Sequence, residues 1–214
     1  VEMVNCSKKN KVKFTVGFIL RFDARYAQGK KVVEDGKIGE LVSIFARRMT
    51  TLSTPWRVAS WSHPIFYMGI HDLDMMLWYN GMRKAKGVYA TIASKVLKDY
   101  KAPDLEVNWI QPFTWPYGLE SRFDVSGTKG TLNVGIHGMG LEVFTPDGAT
   151  FPDTYHWPIV NDRLIGDLKE ELNSFIECIM YDKPPLVTGD EALKSLEIAL
   201  AIQRSIAEDK LIKL

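Results

Sequence analysis

The sequence predicts an α+β fold, an open, predominantly antiparallel sheet of about six strands with helices on one face. Three observations predict it. Short runs of period-two hydrophobicity follow one another through the middle of the chain, joined by turns too brief for the helical crossovers a parallel sheet needs. Runs of helical periodicity flank this block instead of alternating with its strands. Finally, 214 residues with 46% hydrophobic side chains supply one sizeable core.

Asp23 to Asp35 reads as the first helix, closed by Gly36 as a C′ glycine and weakened by Gly29 inside it. Leu41 to Met49 supplies a strand. Ile70 to Asn80 places Ile70, Leu73, Met76 and Leu77 on one helical face and stops at Asn80-Gly81. From Lys86, Val88, Ala90, Ile92 and Val96 alternate with Tyr89, Thr91 and Lys95, the pattern of a half-buried strand. Leu105, Val107 and Trp109 alternate likewise. After the turn-like Pro116-Tyr117-Gly118, so do Leu119, Phe123 and Val125, and these two runs predict a hairpin. Gly127-Thr128-Lys129-Gly130 breaks to Leu132 and Val134, and Leu141 and Val143 precede the turn signal Pro146-Asp147-Gly148. Leu164, Leu168, Leu172, Phe175, Ile176 and Ile179 recur at helical spacing, with acids early where the helix dipole favours them. Thr188-Gly189-Asp190-Glu191 has the spacing of a capping box and opens a last helix through Leu193, Leu196, Leu200 and Ile206.

A formal charge of +1 gives no net field to recruit nucleic acid or an anionic membrane. No window approaches the roughly 18 apolar residues of a membrane span. Cys6 and Cys178 lie far apart with no metal-type spacing, so a reduced, cytoplasmic chain is expected. There is no G-x-G-x-x-G after a strand, since Gly135, Gly138 and Gly140 have the wrong spacing; phosphate-loop, zincin and serine-elbow motifs are also missing. The chain is not expected to bind a dinucleotide by itself.

Reactive side chains are densest in Trp56-Arg57, Trp61-Ser62-His63-Pro64 and Tyr67 to Asp74, leading straight into a helix. His71 lies off the apolar stripe at the helix start, where an imidazole can exchange a proton near neutral pH or bind a sugar hydroxyl. The competing reading has Asp72 and Asp74 satisfying first-turn amides while His71 fills a surface notch. Three metal ligands do not converge from one helical turn, so no metal is expected. Trp56 and Trp61 are either core or stacking platforms for a sugar face. Cys178 and Met180 are read as packing, and His137 and His156 carry no signal.

Gly17 to Asp23, Gly36-Lys37-Ile38-Gly39-Glu40, Trp56-Arg57, Gly69-Ile70-His71-Asp72-Leu73-Asp74, Gly127 to Gly130 and Pro185 to Ala192, in this order and spacing, resemble the C-terminal domain of the Gfo/Idh/MocA oxidoreductases. The resemblance covers nearly the whole chain. It implies a preceding Rossmann domain binding NAD or NADP, of which residues 1–17 are a remnant with Lys11 to Val16 as its last strand. Residues 18–214 would be the substrate-binding and oligomerisation domain, forming a homo-oligomer through the sheet face. The resemblance places the catalytic lysine upstream of Val1, so the fragment alone should be inactive, and it puts His71 beside the nicotinamide and the hydroxyl being oxidised. Tyr67 is a departure, because the family has an aspartate four residues before the histidine. A phenol, with an unperturbed pKa near 10, cannot run the same proton relay as a carboxylate.

The implied activity is that of an NAD(P)-dependent oxidoreductase acting on a sugar, cyclitol or related polyol. His71 and Tyr67 would be catalytic, and Arg21, Arg57, Trp61 and Asp72 would bind substrate. For Arg21 a salt bridge competes with that role. Two other readings stay open, a sugar-sensing or regulatory relative and a pure dimerisation module.

Overall fold

β1 (Leu41–Thr51) is the spine of the molecule in the computed structural model, which describes residues 1–91, 107–115, 119–135, 141, 143–146, 148–150 and 152–214. The main sheet has the order β3-β1-β4-β5, with β3 at Val107–Gln111, β4 at Leu119–Gly127 and β5 at Thr131–Gly135. β1 and β4 run antiparallel from Leu41↔Gly127 to Thr50↔Leu119, and β4 returns as a hairpin with β5. β3 lies parallel to β1, with Arg48 opposite Val107. Two of these three pairings are antiparallel, so the sheet is mixed but predominantly antiparallel, as expected. One expectation needs correction: the β3 and β4 runs do not form a hairpin, because β1 is inserted between them. Period-two patterning fixes which face a residue takes but not which neighbour it pairs with.

One face of the sheet is packed and the other open. Ala46, Phe123, Val125 and Val134 point inward against Tyr26 of α2 (Ala24–Glu34) and Met75 and Tyr79 of α4 (Ile70–Tyr79). On the outer face Phe45 is exposed, Arg122 pairs with Asp124 at 2.7 Å and Asn133 donates to Asp124. α2 and α4 thus share the face expected to carry helices. Asp23 caps α2 by accepting from the Arg25 N–H, and Gly36 takes φ +69° just beyond its end, as the sequence indicates.

The Gly127 to Gly130 turn docks on the segment that enters β1. Lys129 N donates to the Ile38 carbonyl (2.8 Å) and Thr128 N to that of Glu40 (2.9 Å), and a Cβ on Gly127 would collide with the Ile38 carbonyl. These two glycine-rich motifs are therefore one structural clasp.

The remaining described elements frame this unit: α1 (Glu2–Asn10), α3 (Ser53–Val58), β2 (Gly87–Val88), β6 (Val143–Thr145), β7 (Gly148–Thr150), β8 (Ile159–Val160), β9 (Arg163–Leu164), α5 (Asp167–Met180), α6 (Gly189–Glu208) and β10 (Ile212–Lys213). β2 and β10 pair apart from the main sheet, which corrects the expectation that the Lys86 run joins it. The rest of that run, Ile92, Lys95 and Val96, lies outside the described residues, as do Leu105, the Pro116-Tyr117-Gly118 turn, His137, Gly138, Gly140 and Asp147. Residues 12–18, expected to include a strand, have no regular secondary structure in this chain.

α6 opens with the expected capping box: Glu191 N donates to Thr188 Oγ1 and Thr188 N to Glu191 Oε2, both at 3.2 Å. Its Ala199 and Ile202 pack on Ile65 and Leu73. α5 buries Cys178 but leaves Leu172, Ile176 and Ile179 exposed, and Met180, read as packing, is 66% exposed.

Candidate functional site

The helix carrying His71 starts earlier than its periodicity indicates. A π-helical turn at Ile65–Gly69 runs directly into α4. Such a turn widens the helix locally and recurs at functional sites. Tyr67 and His71, one turn apart, therefore both border a single cavity of about 360 Å³, together with Arg57, Arg48, Thr50, Thr54, Met68, Leu119, Ile19, Leu20, His156 and Trp157. That volume is at the small end of ligand pockets and suits a monosaccharide-sized molecule.

Beneath the cavity Arg48 projects from β1 and is 4% exposed; Asp72 holds it through two bonds, from Nε at 2.9 Å and Nη2 at 3.0 Å. Burial pushes the His71 imidazole down to about 4, with the Arg48 cation adding to the effect. His71 is therefore neutral at pH 7. Its Nδ1 is buried without a hydrogen-bond partner, and Phe18 packs edge-on at 5.9 Å. At the rim Arg57 is exposed, makes no ion pair among the described residues and donates to the Tyr67 phenol at 3.4 Å.

The opposite wall is a loop. Asp153 accepts the backbone N–H groups of Tyr155 (3.0 Å), His156 (2.9 Å) and Trp157 (2.7 Å), curling the segment so that His156 and Trp157 reach the cavity.

Of the residues singled out by sequence, the structure brings together His71, Tyr67 and Arg57. It does not bring Arg21, Asp72 or Trp61 to the cavity lining. Arg21 is 2% exposed and forks onto Asp74 at 2.7 and 2.8 Å, with Nη1 donating to Glu191 (3.1 Å) and the Leu186 carbonyl (3.0 Å). Here the salt bridge displaces the substrate role: the guanidinium's donors are engaged by chain groups. Asp72 is buried as the counter-charge of Arg48. Trp61, 69% exposed, donates to the Arg57 carbonyl and lies edge-on to Tyr67 at 5.9 Å, so it braces the rim.

Sequence reasoning missed Arg48, His156 and Trp157. A lone arginine at an inward strand position was the available signal for Arg48, since an inward charge requires a partner. For His156 and Trp157 there was no signal, because a loop brings them in from more than 80 residues away. Among the described residues no cluster of three or more His, Cys, Asp or Glu could hold a metal, and no helix is long and apolar enough to cross a membrane.

The chain matches the family model described as oxidoreductase family, C-terminal alpha/beta domain, over residues 30–214. It is 27% identical over 219 residues to an inositol 2-dehydrogenase of Rhizobium meliloti, covering 95% of this chain and 66% of that protein. To a scyllo-inositol 2-dehydrogenase (NAD(+)) of Bacillus subtilis it is 26% identical, covering 89% and 59%. The chain thus spans less than two thirds of the length of these two curated relatives. A solved scyllo-inositol dehydrogenase of Lactobacillus casei with bound NAD(H) and scyllo-inositol superposes at TM-score 0.73 and 19% identity, over 99% of this chain and 68% of that one. GenD2 from gentamicin A biosynthesis, in complex with NAD, superposes at 0.79 and 16% identity over 100% and 67%. These structural likenesses show a shared fold.

Proposed function

Because the chain belongs to the Gfo/Idh/MocA oxidoreductase family, as its C-terminal alpha/beta domain, we propose that it forms the substrate-binding wall of an NAD(P)-dependent dehydrogenase of a sugar, cyclitol or related polyol. The observation that carries this reading is the cavity in which neutral His71, Tyr67 and exposed Arg57 converge over apolar Leu20, Met68 and Leu119. The names of the inositol-dehydrogenase relatives support the substrate class.

The residues present fit the edge of a nicotinamide and a polyol but not a dinucleotide's phosphates, for which this sequence offers no glycine-rich loop; the unpartnered Nδ1 of His71 is the polar atom such a complex would satisfy. Bound NAD(P) supplies the hydride acceptor. A neutral imidazole presents one N–H and one lone pair, so His71 can accept the hydrogen of the hydroxyl being oxidised. The Arg48 cation disfavours an imidazolium there, so the proton is passed on rather than stored. Arg57 donates to substrate oxygens at the rim, Tyr67 offers a phenol that donates and accepts, and Trp157 adds an aromatic surface to the lining. Leu20, Met68 and Leu119 keep water from the reacting carbon. In this reading the cofactor domain and the catalytic lysine lie in a preceding Rossmann unit, the chain alone turns nothing over, and protomers associate through the open sheet face.

The test is nicotinamide reduction by the full-length protein over a panel of cyclitols and aldoses with NAD⁺ and NADP⁺. No reduction with any pair sinks the proposal. The Tyr67 departure supports a second reading, and polyol binding without reduction would assign the chain to ligand sensing.

A further inference from the structure

We propose that His156, fixed by Asp167, is a second hydroxyl-reading imidazole of the cavity and sets how the polyol is oriented there. The proposal rests on the dehydrogenase reading only for its substrate class. His156 Nδ1 lies 2.8 Å from Asp167 Oδ2, and Asp167 is 3% exposed. A buried carboxylate at that distance accepts the ring's Nδ1–H. This selects one tautomer and leaves the Nε2 lone pair free on a residue that lines the cavity. Nε2 has no hydrogen-bond partner among the described residues.

The pair is built rather than incidental. The carbonyls of Tyr155 and His156 accept the first-turn N–H groups of α5, from Asp167 (2.9 Å) and Leu168 (3.2 Å), so the loop is clamped to the helix that supplies the carboxylate. Gly166 makes the approach possible: at φ +99°, a Cβ there would stand 2.5 Å from the Tyr155 carbonyl oxygen and 2.6 Å from that of His156. The Arg25 guanidinium covers the Tyr155 ring at 3.9 Å and is itself held by Asp23. Loop, α5 and the N-terminus of α2 therefore fix one imidazole from three sides.

The two histidines are backed in opposite senses. His71 stands near the Arg48 cation, whereas His156 is backed by a carboxylate, so His156 is the stronger acceptor of a hydroxyl hydrogen. With Arg57 donating at the rim, the cavity can read two hydroxyls of one polyol ring and their relative configuration.

The experiment uses full-length protein with ¹⁵N-labelled histidine and myo-inositol as the probe. His156 is expected as the Nδ1–H tautomer, with an Nε2 signal that moves when myo-inositol is added. Asp167→Asn should abolish that movement and raise KM about tenfold, the worth of one such hydrogen bond, with a smaller change in kcat. His156→Gln, which keeps an acceptor, should recover part of the KM lost in His156→Phe. An Nε2–H tautomer overturns the proposal, and so does turnover of myo-inositol with the His156 signal unmoved. A moving signal without reduction of NAD⁺ or NADP⁺ leaves the proposal standing and removes the dehydrogenase reading; neither movement nor reduction removes both.

Discussion

Replacing Asp72 by alanine removes the counter-charge of Arg48 and leaves the guanidinium where it is, 4% exposed beneath the cavity. Two charge-assisted bonds, at 2.9 and 3.0 Å, are lost together, and no other acid pairs with Arg48 among the described residues. Removing one partner of a buried pair costs about 3–5 kcal/mol, most of it the uncompensated charge rather than the bond itself. Asp72→Asn keeps one acceptor and should fall near the lower figure. For a chain of this size each kcal/mol moves the midpoint by about 2–4 °C, so Asp72→Ala should melt about 6–20 °C lower. Urea unfolding should show a shifted midpoint at unchanged slope. The double variant Arg48→Met/Asp72→Leu should regain most of the loss, because it removes the stranded cation while keeping volume. A loss under about 1 kcal/mol for Asp72→Ala, or a double variant no more stable than the single one, would falsify the assignment of Asp72 as the support of Arg48.

Three further outcomes follow from the same geometry. His71 is depressed to about 4 from an ordinary 6.5, so its contribution is complete above pH 6.5 and is lost as pH falls through the window down to 4, where the unfolded chain binds a proton the folded one does not; the span is on the order of 3 kcal/mol. His71→Gln should flatten that part of a stability-against-pH curve, and an unchanged slope would contradict a buried neutral imidazole. Gly166→Ala should destabilise by about 1–3 kcal/mol and raise KM for polyols, because the loop must lift off α5; calorimetry and steady-state kinetics read the two effects. Thr188→Ala should cost about 1 kcal/mol in urea titration, the typical value of a lost N-cap, with KM unchanged.

Helices were the more legible part of the fold. α2 and α6 announce themselves through Asp23, Gly36 and the Thr188/Glu191 box, since capping chemistry is local and the pattern names the partner. Strand pairing was less legible: the runs around Trp109 and Phe123 looked like neighbours, but β1, from some 60 residues earlier, lies between them. Burial alternates the same way in either arrangement. In the site, Tyr67, His71 and Arg57 were legible because they fall in one short stretch. Arg21 and Asp72 were read as substrate ligands from the family resemblance, whereas both are buried partners of other residues, and an isolated charged letter does not reveal its partner. His156 illustrates the reverse, since a turn of Asp153 and a tight glycine at Gly166 bring it to a cavity that the sequence places far away.

α4 is pinned at two adjacent places to different parts of the fold. Asp72 ties it to the sheet through Arg48, and Asp74 ties it to Arg21 and thereby to α6. Rolling the helix about its axis would break both pairs at once, so the wall bearing His71 is effectively rigid. The facing wall, made from the 153–157 loop, rests on a turn and a clamp. The shape of the cavity can therefore be changed on that side alone, by loop substitutions that leave His71 undisturbed. A fold built this way can remodel one wall of its cavity without shifting the other.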